Sequence, residues 1–147
     1  MINLYLEGKS PLETTQLEAI ANSINDSIEL SRNYNIGLSF VDTKTIQELN
    51  EKYAGNNYPT DVLSFEYDDS RGESDGDVVV CTKIAESQAK ENKISIEAEL
   101  SLLVTHGVLH ILGYDHQDQD QTASLDAIQS DIMKRLNYEY RDFKWSH

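Results

Sequence analysis

SIEAELSLLVTHGVLHILGYDH, from Ser95 to His116, is the stretch from which this chain can be read outward. Wound as a helix to about Leu112, it carries Ile96, Leu100, Leu102, Leu103, Val104, Val108, Leu109 and Ile111 on nearly every side. A helix that is apolar all round lies inside a core rather than on a surface. Ser95 supplies an N-cap, and Gly113 suits the left-handed residue that ends a helix. The fold must therefore be arranged around this segment.

Downstream, Asp118 and Gln121 start a final helix through Leu125, Ile128, Ile132 and Leu136. The tail from Asn137 to His147 is rich in aromatic residues but has no clear period. Upstream, Thr82 caps a helix to about Asn92. Before it, Asp77 to Cys81 contains Val78-Val79-Val80, an uninterrupted apolar run that predicts a strand covered on both faces. Val62 to Tyr67 reads as another strand, and the polar stretch Asp68–Gly76 as an exposed loop compatible with an antiparallel hairpin.

In the first half, Asn3–Leu6 and Ile36–Val41 alternate as strands do. Between them Ser10 is expected to cap a helix, with Pro11 in its first position and Glu13 completing a capping box. Leu17, Ile20, Ala21, Ile24 and Ile28 give that helix one apolar stripe. Asp42 or Thr43 opens a further helix bearing Ile46, Leu49 and Tyr53, which Gly55-Asn56-Asn57 breaks and Pro59 prevents from continuing. Four short strands and five helices make an α+β fold with one small sheet, in a single domain over residues 1–147. Strand order is not written in any local pattern.

A chain of 147 residues is long enough to bury a core without staples. Cys81 is the only cysteine, so an intrachain disulfide and cysteine-rich zinc sites are excluded. The amino terminus lacks the basic and apolar regions of a signal peptide, and no apolar run is long enough to span a bilayer. A cytoplasmic protein is expected, with no membrane partner. With 26 acidic and 12 basic residues the net charge is −14, a field that repels polyanions at long range. Any reading that includes RNA must answer it.

Three of the four histidines lie within eleven residues, His106 to His116. His106 and His110, four apart on a helix, project from one face, and a turn at Gly113 can bring His116 back to them. Three imidazoles suit zinc, which favours nitrogen ligands, and leave the fourth position to water, as in catalytic sites. A lone histidine on an apolar helix is more often a hydrogen-bonded core residue. Three at this spacing are harder to explain so, and an ion would give all three the partner that burial demands. The spacing equals that of metzincin proteases, which need a glutamate directly after the first histidine as general base. Here that residue is Gly107.

HGVLHILGYDH, with YPTDVLSFEY (Tyr58–Tyr67) and GDVVV (Gly76–Val80), resembles the YbeY family of bacterial endoribonucleases, in order and spacing, over about Leu49 to Gln129. The resemblance implies a small mixed sheet and a zinc-dependent, single-strand-specific endoribonuclease acting in 16S rRNA maturation and 70S ribosome quality control. It implies His106, His110 and His116 as ligands of one Zn2+. It also implies an arginine facing the site at the position of Ala54; alanine cannot grip a phosphate as a guanidinium does.

His106 and Asp115 are the catalytic candidates. Asp115, beside the last ligand, is placed either as general base or as partner to an imidazole N–H; Asp77 is a second candidate base, or simply a strand start. Thr60, Asp61 and Ser64 are candidates to line the cleft, although turn and capping roles account for the first two as well. Lys83, Lys90 and Lys93, and Lys134, Arg135, Arg141 and Lys144, are the basic groups that could draw RNA locally; ribosomal proteins are a second kind of partner. A non-enzymatic, zinc-containing ribosome-assembly factor and a zinc peptidase or amidase are the rival readings. Oligomeric state is not legible.

Overall fold

A computed structural model describes residues 1–71, 74–114 and 118–139, with the backbone alone for 68–71. In chain order these form β1 (Ile2–Glu7), α1 (Thr14–Ser27), β2 (Tyr34–Val41), α2 (Thr43–Ala54), β3 (Val62–Arg71), β4 (Ser74–Cys81), α3 (Thr82–Asn92), α4 (Ile96–Ile111) and α5 (Gln119–Arg135). The α+β class and the four-stranded mixed sheet expected above are what is observed. The strands lie in the order β1-β2-β4-β3. β1 and β4 flank β2 in parallel, and β3 pairs antiparallel with β4 at the edge.

Period-two alternation decides which residues face which layer. Ile36 and Leu38 of β2, Val62 of β3, and Val78 and Val80 of β4 share one core with α1, α4 and α5. Leu63, Val79 and Cys81 turn to the opposite face, where Ile46 and Leu49 of α2 cover them. Covering on both faces is why β4 reads as an unbroken valine run: Val78, Val79 and Val80 are 0, 6 and 0% exposed. Every residue of α4 from Ala98 to Leu109 is buried. Its capping is as expected, the Ser95 hydroxyl accepting from Ala98 N–H at 3.1 Å.

Three expectations are corrected: Thr82 is the first residue of α3 and not its cap, which is Cys81. α1 begins at Thr14, not after Ser10: Leu12 is drawn into the core (4% exposed), and Ser10 Oγ accepts from Leu12 N–H at 3.0 Å, closing a turn before the helix. Glu13 is then the N-cap residue, its N–H bonded to the Gln16 side chain at 2.8 Å. The stretch Asp68–Gly76 is mostly strand rather than loop, because β3 runs on to Arg71 and β4 starts at Ser74. Ladder pairing asks nothing of side-chain polarity, and Asp75 ties the segment down. Its carboxylate accepts from Asn35 N–H at 2.8 Å and pairs with Arg32 at 3.0 Å. The backbone bond and the guanidinium hold Asp75 below the usual carboxylate range.

Candidate functional site

α4 crosses the sheet over β3 and β4, and its contact with them sets where the histidines stand. Gly107 lies at the crossing. A Cβ there would sit 2.6 Å from Val78 Cγ1 and 3.1 Å from Ser64 Oγ, so only glycine lets the helix approach this closely. Ser64 Oγ donates to the Gly107 carbonyl at 3.0 Å, tying β3 to the helix between the two ligand candidates. The residue after the first histidine therefore faces the sheet, and a glutamate base has no room there.

His106 and His110 emerge one turn apart, with ring centroids 6.3 Å from each other and planes inclined by 34°. His106 is 2% exposed; His110 is half-buried. Gly113 ends the helix with φ +99°, its N–H donating to His110 C=O at 3.1 Å and that of Tyr114 to Leu109 C=O at 3.0 Å. The helix stop expected at Gly113 is present. Asp115 and His116 lie outside the described residues, as does His147. Asp118 caps α5 by accepting from Gln121 N–H at 2.8 Å.

Two imidazole nitrogens offered one turn apart, one from an almost dry position, form a donor set suited to zinc and not to magnesium or calcium, which take oxygen. Among the described residues no three His, Cys, Asp or Glu side chains gather around a common point. The third donor expected from the spacing is His116.

The remaining candidates separate. Asp61 is buried and structural: its Oδ1 accepts from Val62 N–H at 2.8 Å and from Thr60 Oγ at 3.3 Å, while Gln88 of α3 donates to its Oδ2 at 3.3 Å. Ser64 is bonded directly to the ligand-bearing helix through the Gly107 carbonyl. Asp77 alternates with Val78 and so points away from α4, to the face covered by α2. There its carboxylate lies against Gly37, where a Cβ would collide with it, and accepts from the Tyr67 hydroxyl. A general-base role for Asp77 beside the histidines is not supported by that placement. Ala54 is exposed at the end of α2, before Gly55 at φ +74°, also on the far face of the sheet. Lys83, Lys90 and Lys93 are exposed on α3 and just after it, and Lys134 and Arg135 at the end of α5; Arg141 and Lys144 are outside the described residues.

Sequence reading missed the Tyr67–Asp77 pair, although Tyr67 shares the parity of Phe65 and so faces α2's side. The bond to Asp77, then burial, then Asp77's charge push the Tyr67 phenol up to about 12. A raised folded value favours the protonated fold. Its contribution is complete below the ordinary phenol value near 10 and is lost as pH rises through about 12. An alkaline titration followed by phenolate absorbance should show a component near pH 12 that Tyr67→Phe removes. Superimposable curves would count against the pair.

A family model described as Endoribonuclease YbeY matches residues 7–137. The Endoribonuclease YbeY of Ureaplasma urealyticum is 39% identical over 124 residues, covering 83% of this chain and 80% of that protein. That of Acholeplasma laidlawii is 34% identical over 136 residues, covering 92% and 96%. The solution structure of TM1509 from Thermotoga maritima superposes with a TM-score of 0.61 at 25% identity, over 93% of this chain and 92% of that one. With its histidine helix, its PTDVLSF strand and this length of match, the chain belongs to the endoribonuclease YbeY family.

Proposed function

We propose that this hydrolase is a zinc-dependent endoribonuclease that cuts single-stranded RNA during 16S rRNA maturation and 70S ribosome quality control, in the cytoplasm. The observation that carries the reading is the pair His106 and His110, one turn apart on a buried helix whose next residue after His106 has no room for a carboxylate. That absence favours a nuclease over the peptidase whose spacing the histidines share. His106, His110 and His116 would hold the ion, which when bound lowers the pKa of its water toward about 7 and polarises a phosphoryl oxygen.

Around it, the chain's own groups have defined tasks. The Ser64 bond and the Gly107 contact hold α4 against the sheet, so the imidazoles keep their direction. Asp115 stands next to the last ligand in sequence, as proton acceptor or as partner to an imidazole N–H. The exposed lysines of α3 and the basic end of α5 offer local attraction within a −14 chain, and ribosomal proteins are the second partner class. No single helix among the described residues is long and apolar enough to cross a membrane.

The test is turnover of a single-stranded 16S rRNA fragment, in one salt condition, by wild type, His110→Ala and Ala54→Arg. Wild type should cleave only with zinc. Ala54→Arg should cleave faster, because a positioned cation stabilises charge on the phosphoryl group. The gain should fall short of the roughly 10²- to 10³-fold typical of such donors, since α2 lies across the sheet and the new side chain must reach past β3. A wild type that binds zinc but leaves RNA intact, with no gain from Ala54→Arg, would favour the assembly-factor reading. Cleavage undiminished in His110→Ala would mean a contaminating nuclease.

A further inference from the structure

β1 is an edge strand, and its open side is already partly used. Tyr34 N–H donates to Met1 C=O at 2.9 Å, so odd residues of the strand turn their backbone groups toward β2 and even ones turn outward. At Ile2 the outward groups are satisfied by a side chain: Ile2 N–H donates to Asn25 Oδ1 at 2.6 Å, and Asn25 Nδ2 donates to Ile2 C=O at 3.2 Å. The Asn25 amide stands where the peptide group of a further strand would stand. Leu4 and Leu6 present N–H and C=O to the same side, and no strand among the described residues pairs with them.

Beside them runs a groove of about 730 Å³ between β1 and α1, with Leu4, Leu17 and Ala21 among its apolar residues and Glu18, Asn22 and Asp26 exposed along it. Of the five large hydrophobic side chains exposed among the described residues, three belong to this segment: Met1 at 62%, Tyr5 at 56% and Leu6 at 42%. Proteins usually blunt such edges with charge, proline or a bulge, because an open apolar edge templates pairing. Ile2–Leu6 also precede the residues matched by the family, 7–137.

We propose that the open edge of β1 receives, as an added strand, an extended and positively charged polypeptide segment of another protein. Its main chain would continue the ladder from Leu4 and Leu6, as in other strand-addition sites. Alternate side chains would fall into the groove, apolar ones on Leu4 and Leu17 and cationic ones toward Glu18 and Asp26. Charge selects the partner. Glu7, Glu18 and Asp26 border the edge, and a second copy would bring another −14 to it. The site is independent of the nuclease reading.

Amide hydrogen exchange at Leu4 and Leu6, read by NMR in the full chain, tests this directly. The probe is a ten-residue peptide in which every second residue is threonine and the residues between them are valine and lysine in turn, so that one strand face carries both, at millimolar concentration and low salt. Exchange at both amides should slow at least tenfold. The effect should vanish with the same peptide N-methylated at alternate residues, and in a Glu18→Lys/Asp26→Lys variant, both positions being exposed. No slowing by the lysine peptide overturns the proposal, as does equal slowing by the same peptide with glutamate in place of lysine. Slowing without peptide that rises with protein concentration, with a dimer mass in sedimentation, would mean that a second copy fills the edge and would overturn it too.

Discussion

Replacing His110 by alanine should cost the protein its zinc and its RNA cleavage together. Wild type should purify with close to one zinc per chain, and His110→Ala and His106→Ala with little, whereas His147→Ala should keep it. An ion that stabilises transition-state charge by several kcal/mol accounts for a loss of roughly 10³-fold in rate. His110 is the cleaner position because its side chain is only half-buried. His106 is 2% exposed, so its truncation also leaves a cavity. Metal analysis alongside circular dichroism separates the two effects. Full zinc occupancy in folded His106→Ala and His110→Ala would end the metal assignment.

Gly107→Ala should be among the most damaging single-methyl additions available in this chain. The new Cβ would sit 2.6 Å from Val78 Cγ1. Val78 cannot yield, being wholly buried and paired in the ladder with Leu38 on one side and Ser64 on the other. Overpacking of this kind costs about 1–3 kcal/mol, which in a domain of this size lowers the melting temperature by a few degrees per kcal/mol. Gly107→Glu should be worse, since it also buries a carboxylate without room for a partner. Urea unfolding of both variants in the metal-free state, so that zinc linkage does not enter, checks the order: wild type, then alanine, then glutamate. If the glutamate variant were as stable as wild type, the steric case against a protease-type base would fail.

His110 and Gly107, three residues apart on one helix turn, also mark how differently sequence and structure speak. That α4 is buried was legible from Ile96 to Ile111 because a helix needs only its own period to reveal which sides are apolar. The four strands and the double covering of Val78-Val79-Val80 were legible for the same local reason. So was the convergence of His106 and His110, a matter of four residues and one turn. The hydrophobic pattern misplaced the start of α1, where a buried Leu12 and the Ser10 turn outweighed capping preference, and it took the strand ends around Asp68–Gly76 for a loop.

Strand order and direction belonged to the tertiary structure alone. Alternation tells which face a side chain takes, but not which strand lies beside it; the order β1-β2-β4-β3 is made by pairings between residues as far apart as Leu38 and Val78. The same non-local pairing sent Asp77 to the far side of the sheet from the histidines, onto Gly37 and Tyr67, and set Asp61 as a buried acceptor between the start of β3 and α3. It also gave Gly107 its meaning. In the sequence that glycine is only a missing glutamate, whereas in the fold it is the point where a helix rests on a strand, and contact at that distance leaves no volume for any side chain.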